Sequence, residues 1–167
     1  MEHLACGREF LYAVTSGSAS GMSAREDQFY LLKIATDGTV VQKYQFDAGI
    51  LLCRLTVTEG RICVILCDQH QMESRVALFD EDTLKPIGSF PIGKLCKDCE
   101  KNRPTDLFAL DDSRLLVFTM SELAVYSLPD GNKLDSMETP GYAQTCTRDE
   151  NGVIWFANKR RLYTLEI

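Results

Sequence analysis

The sequence predicts an all-β fold, an array of about four blade-like units of antiparallel strands, and three observations predict it. Apolar runs rich in β-branched and aromatic residues, each about five to eight residues long, alternate with turn clusters along the whole chain. No stretch sustains a 3.6-residue apolar period over three turns, so helix is at most a minor component. The third observation is a repeat. Leu31-Leu32-Lys33-Ile34, Val76-Ala77-Leu78-Phe79, Leu123-Ala124-Val125-Tyr126 and Leu162-Tyr163-Thr164-Leu165 resemble one another and begin 45, 47 and 39 residues apart. A period of about 40–45 residues with four strands per unit is the spacing of stacked four-stranded blades. A β-sandwich is the alternative all-β class; it needs no such period.

Each element follows from the same pattern. The first unit predicts strands over 2–6, 10–15, 28–35 and 39–46, and the second over 50–57, 61–67, 74–80 and 84–90. The third predicts 105–110, 114–120, 123–128 and 132–137, and the fourth 142–147, 153–157 and 161–167, with no outer strand after them. The turns between them are Asp-, Asn-, Ser- and Gly-rich: Thr36-Asp37-Gly38, Thr58-Glu59-Gly60, Asp80-Glu81-Asp82, Asp111-Asp112-Ser113, Pro129-Asp130-Gly131 and Asp149-Glu150-Asn151-Gly152. Short polar side chains accept local backbone hydrogen bonds and glycine supplies positive φ, so each cluster has a mechanism for reversing the chain. The aromatics Phe79, Phe118, Tyr126, Trp155, Phe156 and Tyr163 fall in the strands and are expected to fill the space between sheets. If Trp155 is buried in this way, its replacement by alanine costs about 3–5 kcal/mol.

The segment Asp149-Glu150-Asn151-Gly152-Val153-Ile154-Trp155-Phe156-Ala157-Asn158, followed by Arg161-Leu162-Tyr163, resembles the blade core of sensor-type propellers. With the four-fold repeat, the whole chain resembles a β-propeller of the WD40, quinoprotein or NHL type. The Gly-His and Trp-Asp dipeptides of a WD40 repeat and the paired glycines of kelch blades are absent, so the resemblance is to the superfold. It implies one propeller-like domain over residues 1–167, with units at about 1–46, 47–90, 91–138 and 139–167. Three closures stay open: a small four-bladed ring, an array completed by a second copy or a different protein, and a piece of a larger propeller. Open sheet edges associate readily, so an unclosed array needs a partner to cover them.

Composition narrows the function classes. The chain has 167 residues, 45% hydrophobic and 25% charged, with a formal net charge of −6. An acidic balance argues against a general binder of nucleic acid or anionic membrane. The longest apolar run, Ile62 to Cys67, is far short of the about 20 residues of a membrane span. Glu2, His3, Arg8 and Glu9 interrupt the apolar stretch a signal peptide needs. Of the seven cysteines, Cys53, Cys63, Cys67 and Cys146 lie in or beside apolar runs and read as small buried hydrophobes. No Asn-x-Ser/Thr sequon occurs, and a reducing compartment, cytoplasmic or nuclear, is expected.

Blade topology sorts the connections. Turns between the first and second and between the third and fourth strands of a unit emerge at one end, and the other loops at the opposite end. The long connections over 16–27 and 91–104 and the loop over 68–73 all belong to the second set, and long loops on a rigid scaffold are where binding residues concentrate. The candidate partner-binding residues there are His70, Lys94, Lys97, Lys101 and Arg103, joined by Lys159 and Arg160. Such basic residues suit an acidic or phosphorylated peptide; a solvated charge run is the plainer alternative. No aromatics are interleaved with them, so single-stranded nucleic acid is not favoured.

Cys96 and Cys99 have the spacing of half a tetrahedral zinc site and are the candidate metal thiols. With no second Cys-x-x-Cys and only His3 and His70 as histidines, the ligand set stays incomplete, so no metal or cofactor is expected. Neither histidine has a carboxylate spaced to orient it, and no glycine-rich phosphate loop occurs. The expectation is a non-enzymatic scaffold that binds a protein or peptide within a larger assembly. A nucleic-acid-associated subunit using the loop-end basic residues and a small-ligand or metal-binding sensor are the alternatives.

Overall fold

The computed structural model describes residues 3–15, 29–47, 49–68, 70–94, 103–139, 145–158 and 161–165; for 51–53 and 145 it describes the backbone alone. Among them the regular structure is all strand. The chain divides into two compact units, Met1–Ile92 and Gly93–Ile167.

The first unit holds two sheets, the second of which ends two residues past its boundary. In one, β1 (His3–Cys6), β2 (Leu11–Thr15), β3 (Tyr30–Ile34) and β4 (Val40–Gln45) lie side by side in chain order. In the other, β5 (Ile50–Thr58), β6 (Arg61–Asp68), β7 (Glu73–Asp80) and β8 (Pro86–Lys94) do the same. The second unit repeats the plan with β9 (Pro104–Ala109), β10 (Arg114–Thr119), β11 (Glu122–Ser127) and β12 (Lys133–Glu138). Its other sheet is β13 (Thr145–Arg148), β14 (Ile154–Ala157) and β15 (Leu162–Leu165), three strands among the described residues. Each sheet is a meander of consecutive antiparallel strands, which is the blade of a β-propeller and not the alternative sandwich, whose strands cross between sheets.

Burial explains why these stretches become these strands. β6 is buried along nearly its whole length: Ile62, Val64 and Leu66 join the core between the unit's two sheets, while Cys63, Ile65 and Cys67 are buried on the opposite face. A strand covered on both faces reads as a continuous apolar run, and β6 does. Burial pushes the Cys63 thiol up to about 12, so it acts as a small hydrophobe. By contrast every residue of β12 is exposed, polar Lys133, Asp135, Ser136 and Glu138 together with Leu134 and Met137. In the second unit Leu116, Phe118 and Leu123 pack with Ile154 and Phe156, and the Phe156 and Tyr163 rings stack with centroids 5.0 Å apart.

The turns use the predicted chemistry. Carboxylates of Asp37, Asp80, Asp111, Asp130 and Asp149 accept backbone amides two or three residues onward: Thr39, Thr83, Ser113, Asn132 and Asn151 at 2.8–3.2 Å. Gly152 completes the last of these turns at φ +83°, where a side chain is strained.

Hydrogen bonds favour the charged carboxylate and lower all five acids below the ordinary 3.8, led by the Thr39 amide at Asp37 and by side-chain donors at Asp80 (Thr83), Asp130 (Ser127) and Asp149 (Trp155). For Asp111, partial burial works upward, but hydrogen bonds from Ser113 and Arg114 and the Arg114 charge outweigh it and hold the acid at about 2. The unfolded chain therefore binds protons before the folded one does. Stability from these turns is complete above the ordinary carboxylate range and is lost as pH falls through 3.8 toward the folded values. The urea midpoint should drop between pH 6 and pH 3, and Asp111→Asn should narrow that drop; an unchanged midpoint contradicts the assignment.

Three details differ from the sequence expectation. Trp155 is half-buried: Ile154 and Phe156 face the core and Trp155 takes the opposite side of β14, its Nε1 donating to Asp149 Oδ2 at 2.9 Å. The expected cost of Trp155→Ala falls to about 1–2 kcal/mol, the scale of one charge-assisted hydrogen bond plus partial burial. Trp155→Phe should lose most of it in chemical denaturation, and a loss above 3 kcal/mol would restore the core assignment. Leu84 does not begin a strand. It closes the β7–β8 turn at φ 50° with its amide on the Asp80 carbonyl, which turns its side chain into the core at 2% exposure. β8 runs on through Pro91 to Lys94, because an outer strand tolerates a residue without an N–H.

Candidate functional site

Of the predicted partner-binding residues, the described ones are His70, Lys94 and Arg103. His70 lies in the β6–β7 connection and Lys94 ends β8; both are exposed. β6 ends and β7 begins at the loop end of the second sheet, and antiparallel pairing returns β8 to it. Asp68, the last residue of β6, shapes the loop by accepting the amides of His70 and Gln71, both at 2.9 Å. Those bonds, with the Arg75 and His70 charges behind them, keep the Asp68 acid below its ordinary value against the upward pull of burial. The imidazole rests on the backbone at Gly49, where φ is +85°. A Cβ there would lie 2.3 Å from His70 Nε2, so the contact requires glycine.

Beside this loop a cavity of about 300 Å³ opens between the two sheets of the first unit. Its wall is aromatic: Tyr44 and Phe46 at the end of β4 and Phe79 of β7 meet edge-to-face, with centroids 4.9, 5.0 and 5.6 Å apart. Ile50, Leu66 and Ala77 add aliphatic surface, and Asp47 and Arg75 are the two charged groups of the lining. Arg75 is the cross-strand partner of Leu66 and is half-buried. Its Nε is enclosed and has no hydrogen-bond acceptor among the described residues. Buried donors are rarely left so, and an enclosed guanidinium Nε favours an anionic acceptor.

Arg103 precedes β9 at the corresponding end of the third sheet, exposed, with its carbonyl accepting the Met120 amide at 3.1 Å. Lys97, Lys101, Lys159, Arg160 and the thiols of Cys96 and Cys99 lie outside the described residues. Among the described residues, no group of three or more His, Cys, Asp or Glu side chains is arranged to hold a metal ion.

Both units repeat one polar device between the first strands of their two sheets. In the first, the Leu55 amide of β5 donates to His3 Nδ1 on β1 at 3.3 Å; burial, then the Arg54 charge, lowers that imidazole's pKa. In the second, the Cys146 amide of β13 donates to Asp106 Oδ2 on β9 at 3.2 Å. Burial first, then the Asp106 charge, drives the Cys146 thiol upward, so neither cysteine is poised as a nucleophile.

The sequence singled out His70, but not Arg75, Tyr44 or Asp47 of the cavity beside it. A signal for Arg75 was present. It stands two residues before Ala77 and four before Phe79, hence on the same face of β7 as two core residues. A charge on an apolar strand face marks either a buried pair or a ligand.

No protein-family model matches the chain, and no curated protein matches it. Solved structures do. A protein of unknown function from Bacteroides caccae superposes with a TM-score of 0.66 at 15% identity, over 99% of this chain and 56% of that one. The β-propeller domain of Cps50 (Swd1) from Myceliophthora thermophila gives 0.66 at 13% identity, over 98% and 51%. Hydrazine synthase from Kuenenia stuttgartiensis gives 0.62 at 14%, over 93% and 41%. The chain spans about half the length of these structures. At such identities the likeness establishes the propeller fold.

Proposed function

We propose that this chain is an interaction module of the cytoplasm or nucleus, holding a protein or peptide partner at the loop ends of its blades without performing chemistry on it. The observation that supports the reading is the loop end of the second sheet, where exposed His70 rests on Gly49, next in the chain to Ile50, which lines a cavity walled by Tyr44, Phe46 and Phe79. Aromatic surface beside a few charged groups is the composition of a peptide-binding hot spot. The step from blades to scaffold is an analogy of fold and gains weight only from that site.

The test is capture of a partner from a cell extract by the immobilised chain, before and after nuclease treatment and across a salt series. The reading expects a protein that survives nuclease and is lost from the double variant His70→Ala, Lys94→Glu. Capture that nuclease abolishes, with a steep salt dependence, would instead mark a nucleic-acid-associated subunit. Full retention by the double variant would contradict the site.

A further inference from the structure

We propose that the cavity between the two sheets of the first unit is a recognition pocket for a single carboxylate carried next to an apolar side chain on a peptide. This rests on the reading of the chain as a peptide-binding module and specifies what the pocket selects. Three features carry it.

The first is Arg75. Its Nε is enclosed without an acceptor among the described residues; Asp68, whose Oδ1 takes the amides of His70 and Gln71, acts on Arg75 through its charge without a hydrogen bond to that Nε. An incoming carboxylate supplies the missing acceptor through a charge-assisted bond in a partly dry site. The second is the wall. Tyr44, Phe46 and Phe79 form a fixed aromatic surface, and about 300 Å³ is at the small end of ligand cavities, room for one large side chain and its neighbour. The third is Asp47, the other charged group of the lining. Its charge opposes any anion in the pocket, so only the one carboxylate that Arg75 bonds is offset, and it can accept a backbone N–H from a bound peptide. A polyacidic or phosphorylated segment is therefore disfavoured, and one acid beside one hydrophobe is favoured.

The pocket is open to solvent beside β8, whose Pro86, Gly88 and Ser89 are exposed. Gly88 offers no side chain there, which leaves space for a peptide backbone to cross the rim.

The experiment uses four probes on the whole chain with labelled methyl groups: 3-phenylpropanoate, its neutral amide, and two capped tetrapeptides, Gly-Phe-Glu-Gly and Gly-Phe-Gln-Gly. The methyls of Ile50, Leu66 and Ala77 report occupancy by NMR. The acid of each pair should bind about tenfold more tightly than its neutral partner, the scale of one charge-assisted bond. Arg75→Gln should erase that ratio while the aromatic contacts keep weak binding of both; Arg75→Lys should restore part of it. The urea midpoint of each variant checks that it folds.

Equal binding of acid and amide to the wild-type chain, or a ratio that survives Arg75→Gln, would overturn the proposal. Binding of 3-phenylpropanoate without the glutamate peptide would overturn the peptide assignment in favour of a small-molecule site. Partner capture that is lost in the His70, Lys94 double variant but indifferent to Arg75→Gln would overturn the pocket alone and leave the interaction module standing.

Discussion

Replacing Phe79 by alanine is expected to destabilise the chain by about 3–5 kcal/mol, the largest single effect that the core predicts. Phe79 is 1% exposed on β7 and packs into the core shared by the first unit's two sheets. It also meets both Tyr44 and Phe46 of the neighbouring sheet, so its loss removes two edge-to-face contacts and enlarges the cavity those rings line. Phe79→Leu keeps most of the volume and should cost less than half as much. Urea unfolding of both variants checks the ranking. A loss below about 1 kcal/mol for the alanine variant would mean that the two sheets do not share this core.

Lys33→Ala is expected to cost about 2–3 kcal/mol, a large effect for removing a lysine. Lys33 is 6% exposed, which is rare for a lysine, and its environment explains why the charge is tolerated. Its Nζ donates to the carbonyls of Glu81 and Asp82 at 3.0 and 3.1 Å and sits 4.3 Å from the centroid of the Phe10 ring. The side chain thus crosses from β3 to the β7–β8 turn and ties one sheet to the next. Tyr12 reinforces the junction, its hydroxyl donating to the Glu81 carbonyl at 3.2 Å. Truncation strands two carbonyls and removes the cation–π contact together. Because the charge is enclosed, 0.5 M NaCl should leave the difference between wild type and variant unchanged, whereas a surface ion pair would be screened. A difference that collapses in salt would place Lys33 at the surface.

The blades were legible because their determinants are local. Asp37, Asp80, Asp111, Asp130 and Asp149 each build a turn from residues two or three positions away, the first, second and fourth of them between the third and fourth strands of a sheet and the other two between the first and second. Strand boundaries therefore agreed within a few residues, and the departures at Leu84 and β8 occur where a tertiary contact or an outer-strand position overrides the local pattern. Trp155 shows the limit of pattern. Alternation assigns Trp155 and Phe156 to opposite faces, but only the register says which face is the core. The cavity was less legible still. Arg75 is on the inward face of its strand by simple counting, yet the Tyr44 and Phe46 wall comes from a different sheet some thirty residues earlier. Lys33 likewise reads as a strand lysine until the β7–β8 turn is brought over it.

Amide hydrogen exchange on the chain with and without its captured partner tests the loop-end assignment most directly. The prediction is slower exchange at Gly49 and Ile50, across the β6–β7 connection that holds His70, and at the start of β7 around Arg75, with β12 unchanged. Slowing confined to β12, with the β6–β7 connection exchanging as in the free chain, would contradict the assignment and place the partner on the exposed outer strand.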